Sequence, residues 1–285
     1  MRRFNIKEIL KDKLSEEELK LVPSSFDIIG SKEKAAVIVE IPEGLKSREK
    51  LIAEVIMQMQ KSVKSVLEKT SERKGELRLR GYKLIAGDDN TEAVHKEYGY
   101  LLRLDPQKVY FSPREATERQ RIAEQVKPNE TVMLMFAGIG CFAIAIAKKQ
   151  PEVNKIIAVE INPHAVEYMK TNARINKISD KIVPILGDVR EVCPKYFGKC
   201  DRVVMPLPLG AENFLDIAIS CLKEEGVIHF YNWGWEDDLY SNALKLIESA
   251  TKKLKVGFEV LNKRKVLPYA PGKYKVCIDF GVKRG

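Results

Sequence analysis

Two glycines and one carboxylate are spaced as in a binding site for a nucleoside-bearing cofactor. Gly138 and Gly140 follow a short apolar run and precede an Ala-rich segment, and Glu160 ends the next apolar run. Glycines let the backbone approach a ligand, a helix begins there, and a carboxylate accepts hydrogen bonds from ribose hydroxyls. Because the third glycine of a pyrophosphate-binding fingerprint is missing, we predict a phosphate-free cofactor, S-adenosylmethionine. An ordinary α/β turn with a chance pair of glycines is the alternative.

Four short segments follow successive apolar runs in the second part of the chain. Ligands of an open α/β sheet bind at the carboxyl ends of its strands, so these segments are expected to lie together. Asp188 is expected near an adenine amino group, where Val189 offers a backbone amide. The four segments are 136–140, 160–163, 187–190 and 205–208. The cofactor-binding residues predicted from them are Phe136, Ala137, Gly138, Gly140, Glu160, Ile161, Asp188 and Val189.

Apolar runs alternate with helix-like segments after about residue 96, and this pattern predicts an α/β fold. Ser112 and Pro113 are expected to open a helix that continues through residue 123. Strict alternation of this kind is typical of a mostly parallel sheet covered by helices. The predicted strands are 132–136, 156–160, 182–186, 202–205, 226–231, 258–266 and 274–281.

Residues 1–95 have a different pattern and predict a small α+β domain, followed by a second domain over 96–285. Apolar residues at helical spacing predict a helix over 47–64 that begins with Ser47 as its N-cap. The predicted strands of this domain are 24–30, 35–42, 66–67 and 77–85, and a strand pair at the start of the second domain is expected from 97–104 and 109–111. A basic face is expected on this domain from Lys74, Arg78, Arg80 and Lys83.

Charge and cysteine content limit the partners and the compartment. The chain has 285 residues and a net charge of +9, which favours a nucleic acid because each neutralised phosphate releases counterions. A charged surface that serves only solubility, as in thermophiles, is the alternative. Five scattered cysteines and three histidines indicate neither disulfides nor a zinc site. Without a membrane-length apolar run or a signal-peptide core, we expect a cytoplasmic protein with no membrane or metal partner. We also expect a monomer.

Seven segments together resemble one family of RNA-modifying enzymes. They are 108–119, 135–140, 160–165, 187–191, 201–208, 226–231 and 269–271. In them the chain is similar to the archaeal tRNA guanine-N1 methyltransferases, which act on the purine 3′ of the anticodon, and to related wyosine-pathway transferases. The resemblance covers about residues 20–283. It implies a class I, Rossmann-like methyltransferase domain preceded by a small tRNA-positioning domain, with S-adenosylmethionine as cofactor and tRNA as partner.

Two positions depart from the family pattern. Leu134 stands where many members carry an acidic residue near the end of the first strand. Pro206-Leu207-Pro208 stands where guanine methyltransferases typically have Asn-Leu-Pro, so a side-chain amide that could contact the base is missing. The carbonyls of Pro206 and Leu207 are expected to contact the base edge instead, from a loop stiffened by two prolines. In the family, a Pro-Leu-Pro motif accompanies methylation of guanosine and sometimes of a tricyclic wyosine precursor. The branch that transfers an aminocarboxypropyl group lacks both prolines, so the motif favours methyl transfer.

The chemistry implied by the resemblance needs a base and a cation. Guanine N1 carries a proton at neutral pH, so methylation requires a base near N1 and positive charge near O6. The resemblance assigns Arg114 to O6, with a phosphate clamp or a helix-start salt bridge as the alternative. Glu160 is the motif-matched base, although ribose binding could occupy it, and Glu115, Glu118 and Asp188 remain candidates. The predicted catalytic residues are Arg114, Glu160, Pro206 and Pro208.

Four further side chains receive weaker assignments. The resemblance places Arg119 near the cofactor, with a surface ion pair as the alternative. His229 lies in a predicted buried strand and is expected to be a hydrogen-bonded core residue. Trp233 and Trp235 are candidates for stacking a flipped base, with a packed loop as the alternative.

Three other functions compete with methyl transfer to tRNA. The first is aminocarboxypropyl transfer from the same cofactor. The second is a non-catalytic RNA-binding module with a degenerate cofactor fold, which the intact glycines, Glu160 and Asp188 argue against. The third is a small-molecule or protein methyltransferase, which would leave the basic first domain without a role.

Overall fold

The chain divides into two units, Met1–Pro113 and Arg114–Gly285. The structure, a computed structural model, describes residues 5–71, 75, 77 and 79–284. The α-helices are α1 (Ile6–Leu10), α2 (Glu16–Leu21), α3 (Glu49–Met59), α4 (Ala116–Ala123), α5 (Cys141–Lys149), α6 (Pro163–Ile175), α7 (Val189–Val192), α8 (Leu215–Cys221) and α9 (Ser241–Leu254). Short 3₁₀ helices lie at Glu43–Arg48, Pro113–Glu115, Cys193–Tyr196 and Ala211–Phe214.

Thirteen strands are formed by the described residues, in three sheets. They are β1 (Asp27–Gly30), β2 (Ala35–Val39), β3 (Val63–Lys69), β4 (Tyr82–Gly87), β5 (Ala93–Glu97), β6 (Tyr100–Leu104), β7 (Thr131–Met135), β8 (Lys155–Glu160), β9 (Ile182–Leu186), β10 (Cys200–Met205), β11 (Leu222–Trp235), β12 (Gly257–Ala270) and β13 (Lys273–Lys283).

The first unit contains a four-stranded sheet in the order β1-β2-β3-β4. β2 and β3 are parallel, with α3 between them in the chain, and the outer pairs are antiparallel. α3 buries Ile52, Val55 and Ile56 in the core of this unit, at the spacing of one helix face. The predicted helix is confirmed over Glu49–Met59 only, because Ser47 lies in the preceding 3₁₀ helix and β3 begins at Val63.

The predicted basic face of this unit is only partly described. Lys74 and Arg78 lie outside the described residues, and Arg80 is half-buried. Lys83 is half-exposed on β4 and pairs with Glu49 at 2.6 Å. Part of the positive charge expected here is therefore balanced within the unit.

A hairpin formed by β5 and β6 replaces the strand pair predicted from 97–104 and 109–111. Glu97 pairs directly with Tyr100, and the two turn residues, Tyr98 and Gly99, have φ of +42° and +85°. Positive φ at both central residues is typical of the tight turns that join antiparallel strands. The prediction for 109–111 is wrong because residues 93–97 pair with β6 instead. The boundary expected after residue 95 falls inside β5, and the hairpin belongs to the first unit.

The second unit is built on a seven-stranded sheet in the order β12-β13-β11-β10-β7-β8-β9. The five strands β11, β10, β7, β8 and β9 are parallel to one another, and β13 is antiparallel to β11 and β12. Val132–Met135 of β7 are completely buried, as expected of a parallel sheet covered on both faces. The predicted α/β fold is confirmed, and β11 extends to Trp235 because it pairs with β13 from Glu225 to Trp235.

A buried polar network lies between β10, β11, β13 and α4. Because the Arg202 guanidinium is always a donor, the His229 Nε2 atom 2.7 Å away accepts, and Nδ1–H donates to Asp279 at 2.6 Å. Burial lowers the pKa of His229, in agreement with this neutral form. Although burial alone would raise the pKa of Asp279, hydrogen bonds from His229 and Arg121 hold it well below its usual range. His229 is therefore a satisfied core residue, as predicted.

The same network contains three groups that could in principle bind a metal. Ligand atoms of His229, Cys277 and Asp279 lie within 4.8 Å of one another, and all three residues are buried. The guanidinium groups of Arg121 and Arg202 bond to Asp279 and His229, and fixed positive charge at that distance disfavours a metal cation. In the described part of the chain, no helix is long and apolar enough to span a membrane.

Candidate active site

The glycine loop joins the end of β7 to the start of α5. Three of its residues have positive φ, at +55° for Phe136, +56° for Gly138 and +83° for Gly140. A Cβ atom on Gly138 would meet no heavy atom within 4 Å, whereas one on Gly140 would lie 2.7 Å from Met169 Cγ. The loop thus leaves open space beside Gly138, and Gly140 is required where α6 packs against the start of α5.

The two glycines are expected to respond differently to substitution by alanine. Both substitutions place an alanine in a left-handed backbone conformation, which costs a residue with a Cβ about 1–2 kcal/mol. Gly140→Ala should lose more free energy of unfolding than Gly138→Ala, because only the new methyl at 140 meets Met169. Urea denaturation of both variants measures the difference. Equal losses would show that the contact with Met169 relaxes without cost.

Glu160 ends β8 directly beside the glycine loop. Its carboxylate accepts the backbone N–H of Gly138 at 2.7 Å and that of Asn162 at 2.9 Å, and the N–H of Ile161 also donates to it. Burial raises the pKa of Glu160, and the three amides oppose this rise. The structure therefore fixes the carboxylate at the end of the strand, next to the open space at Gly138.

Asp188 follows β9 and caps α7. Its carboxylate accepts the backbone N–H of Arg190 at 2.7 Å and the Arg190 guanidinium at 2.9 Å. The hydrogen bond from the Arg190 side chain lowers the pKa of Asp188, which remains ionised at neutral pH. The Arg190 guanidinium also lies 5.3 Å from the ring centre of Phe214, and that ring lies edge-on to Phe136 at 5.1 Å. Aromatic and charged side chains thus connect the ends of β7 and β9.

The remaining predicted cofactor residues lie on the same sheet edge or behind it. The Ala137 N–H donates to the Val159 carbonyl at 3.0 Å and holds the loop against β8. Ile161 is partly exposed, and Val189 is buried at the start of α7. Arg119 is only 2% exposed on α4, so the alternative of a surface ion pair is wrong.

The segment that begins the second unit carries Arg114 and two carboxylates. Arg114 is exposed in the 3₁₀ helix Pro113–Glu115. Glu115 is buried in an ion pair with Lys275 at 3.0 Å. Glu118 accepts from Arg121 at 2.7 Å and from the Tyr231 hydroxyl at 2.6 Å. Each acidic candidate for the base therefore has a defined partner, and Arg114 faces solvent.

The Pro206–Pro208 loop follows β10 and is half-buried. Leu207 packs against the hydrophobic core of the second unit, so the loop is held from inside as well as by its two prolines. Pro208 lines a groove that continues to the end of β11. Phe214, in the 3₁₀ helix that follows this loop, contacts Phe136 of the glycine loop.

Sequence reasoning missed two residues at this edge of the sheet, Phe214 and Glu212. Phe214 contacts Phe136, although 78 residues of sequence separate them, and nothing in the local pattern indicates that contact. Glu212 lies in the same 3₁₀ helix and lines the groove. Arg190 lies in the predicted segment 187–190, but its ion pair with Asp188 was not predicted, because it depends on the geometry of Asp188 as the N-cap of α7.

The seven-stranded sheet with one antiparallel strand, together with a glycine loop and strand-end carboxylates, defines a Rossmann-like methyltransferase. Residues 93–261 match the family model described as the TRM5/TYW2 methyltransferase domain, and residues 6–91 match the TYW2 N-terminal domain. The chain belongs to the TRM5/TYW2 methyltransferase family.

Three relatives illustrate this membership. The chain is 45% identical to the tRNA (guanine(37)-N(1))-methyltransferase Trm5b of Pyrococcus abyssi, over 92% of this chain and 76% of the relative. It is 33% identical to the tRNA(Phe) (4-demethylwyosine(37)-C(7)) aminocarboxypropyltransferase of Pyrococcus horikoshii, over 97% and 96% of the two chains. A solved complex of aTrm5 and tRNALeu superposes with a TM-score of 0.84 at 40% identity, covering 99% of this chain and 79% of that one.

Proposed function

We propose that this chain transfers a methyl group from S-adenosylmethionine to N1 of guanosine 37 in tRNA, the nucleotide 3′ of the anticodon. The observation that carries the proposal is the open space at Gly138, bordered by the fixed Glu160 carboxylate, at the strand ends of this family's fold. The relative named above as a guanine-37 methyltransferase, at 45% identity over most of both chains, supports the choice of substrate. A tricyclic wyosine precursor at the same position is a second substrate to test.

The residues at the strand ends suit a nucleoside cofactor without phosphate. Glu160 offers carboxylate lone pairs to ribose hydroxyls, and Asp188, ionised and partly exposed, offers an acceptor for the adenine amino group. The backbone of Gly138 can approach the cofactor closely because no side chain fills the space beside it. When bound, S-adenosylmethionine supplies an electrophilic methyl group.

Arg114 and one carboxylate complete the proposed reaction. As the methyl group is transferred, the N1 proton must pass to a base and negative charge develops on O6. Arg114 is exposed at the start of the second unit, where a substrate can reach it, and a guanidinium stabilises such charge. The amides that occupy both oxygens of Glu160 favour a cofactor role for it, which leaves Glu118, Glu115 and Asp188 as alternative bases.

The cofactor assignment predicts a specific loss in the Asp188→Ala variant. Removal of a charged acceptor for the adenine amino group should weaken S-adenosylmethionine binding by about 1.5–3 kcal/mol, as measured by calorimetry. Asp180→Ala is the matched control, since it removes an exposed carboxylate from the turn before β9. If both variants bind the cofactor like the wild type, the adenine end does not lie at Asp188.

The tRNA assignment predicts a strong dependence of binding on salt. The net charge of +9 favours contacts with phosphates, and each such contact releases counterions, so the affinity for tRNA should fall steeply between low and physiological salt. Removal of the whole first unit, residues 1–113, which contains the proposed tRNA-positioning domain, should weaken tRNA binding and leave cofactor binding intact. Filter binding over a salt series measures the first effect. An affinity that does not change with salt would contradict it.

The identity of the transferred group distinguishes the proposed methyl transfer from aminocarboxypropyl transfer. A tRNA with guanosine at position 37 and, in parallel, a tRNA with 4-demethylwyosine at that position are incubated with the enzyme and with S-adenosylmethionine that is labelled either in the methyl group or in the carboxyl group. We expect label in tRNA only from the methyl-labelled cofactor. Label from the carboxyl group would assign the chain to aminocarboxypropyl transfer, the activity named for its Pyrococcus horikoshii relative.

A further inference from the structure

A groove in the second unit lies between the loop after β10 and the end of β11. One wall contains Pro208, Leu209 and Glu212, and the other contains Asn232 to Trp235, with Lys273 of β13 beside them. Trp233 and Trp235 alternate with Gly234 on β11, so their side chains lie on one face of the sheet. Both tryptophans of the chain therefore line this groove. Because they lie on a strand, the packed-loop alternative is wrong.

The aromatic side chains at this groove form a partly exposed stacking surface under a cation. The ring centres of Trp233 and Tyr269 are 4.4 Å apart, and Trp235 and Tyr269 are 57% and 52% exposed. The Lys273 ammonium lies 5.4–5.5 Å from the ring centres of all three residues. Exposed aromatic faces beside a lysine are suited to an unpaired nucleobase and its phosphate, because bases stack on such rings and phosphate attracts the ammonium.

The opposite wall supplies an acceptor that has no partner within the described chain. Glu212 Oε2 is fully buried, and no donor of the described residues reaches it. A buried carboxylate oxygen without a hydrogen bond costs free energy, so a ligand with N–H groups would satisfy it. Every nucleobase carries such groups on its hydrogen-bonding edge. Asp238, which also lines the groove, is already bonded to the backbone N–H of Ser241 at 3.0 Å.

The groove adjoins the proposed cofactor site but is separate from it. The groove begins at the loop after β10, which neighbours β7 and its glycine loop, and extends to β11, so its tryptophan wall is two strand spacings, or roughly 10 Å, from β7. Glu212 and Phe214 lie on one 3₁₀ helix, and Phe214 contacts Phe136 of the glycine loop. A base that receives the methyl group must reach the glycine loop, and the groove lies farther along the sheet.

We propose that this groove binds the nucleobase next to the methylated one in the RNA loop, stacked on Trp235 with an edge N–H donated to Glu212. The inference rests on the proposed function, since it takes the RNA substrate from it. Extrusion of the target base leaves its neighbour unstacked, and the aromatic surface replaces the lost stacking partner.

Tryptophan emission reports directly on this groove, because the chain has no other tryptophans. An anticodon stem-loop RNA is titrated into the enzyme, with binding followed independently by anisotropy of an RNA label. We expect quenching of tryptophan emission that persists when the target guanosine is abasic and disappears when an adjacent nucleotide is abasic. The Trp233→Phe variant, in which Trp235 is the remaining tryptophan, should behave in the same way.

Matched substitutions test the two contacts. Trp235→Ala should weaken binding of the stem-loop by about 5- to 150-fold, whereas Trp235→Phe, which keeps an aromatic ring, should lose much less. Glu212→Leu should weaken binding of the intact stem-loop RNA. It should have no effect on binding of a stem-loop in which the adjacent nucleotide is abasic. Both side chains lie at the surface groove, and an unchanged cofactor affinity shows that each variant is folded.

Two results would overturn the proposal while leaving the proposed function intact. One is RNA binding by anisotropy without any change in tryptophan emission. The other is quenching that disappears only when the target nucleotide is abasic, because the groove would then hold the target base itself. Absence of RNA binding would defeat both proposals. Quenching in the expected pattern without methyl transfer would defeat only the proposed function.

Discussion

The Arg114→Ala enzyme is expected to bind tRNA nearly as well as the wild type and to methylate it far more slowly. Loss of one preorganised donor at a developing oxyanion costs roughly 2.7–4 kcal/mol, or about 10²–10³ in rate. Arg114 is exposed at the start of the second unit, so its removal creates no cavity in the core. Single-turnover rates at saturating tRNA measure the loss, because saturation removes any defect in binding.

Arg114→Lys is the matched control for this expectation. It keeps the positive charge but loses the planar guanidinium, so its rate should lie between those of the wild type and of Arg114→Ala. If Arg114 instead holds a phosphate, the defect should appear in tRNA affinity and vanish at saturation. A wild-type single-turnover rate for Arg114→Ala would remove this residue from the catalytic site.

Replacement of Asp279 by alanine is expected to cause the largest loss of stability. The carboxylate is 1% exposed and bonds to His229 and Arg121, so its removal breaks a buried charged network and should cost about 3–5 kcal/mol in the free energy of unfolding. Asp216→Ala is the control, because Asp216 forms an exposed pair with Lys253 at 3.1 Å whose loss should cost about 1 kcal/mol or less. Denaturant unfolding at neutral pH compares the two. Similar losses would contradict a stabilising role for the network.

The same network predicts the direction of the pH dependence. The pKa of Asp279 is lowered in the folded state, so its contribution is complete above the ordinary value of 3.8 and decreases in more acidic solution. The pKa of His229 is also lowered, so its contribution decreases as the pH falls below its ordinary 6.5. Wild-type stability should therefore fall in two stages on acidification, and the second stage should be smaller in Asp279→Ala.

The elements of the second unit could be predicted because each carries its own signal. The five parallel strands contain apolar runs, and Gly138, Gly140 and Glu160 follow two of them at the spacing that a cofactor loop requires. Contacts between distant segments gave no such signal. Asp279 meets Arg121 across 158 residues, and the contact depends on the register of the β11–β13 pair. The hairpin of the first unit was not predicted correctly, because the polar residues of β5 do not form an apolar run that indicates a strand.

Nucleoside mass spectrometry of modified tRNA tests the proposed function most directly. A tRNA transcript is incubated with the enzyme and methyl-labelled S-adenosylmethionine and is cleaved into fragments, and the nucleosides of each fragment are identified. We predict labelled 1-methylguanosine in the fragment that contains the nucleotide 3′ of the anticodon, and none when that guanosine is replaced by adenosine. Label at another position, or an aminocarboxypropyl adduct in place of the methyl group, would contradict the assignment.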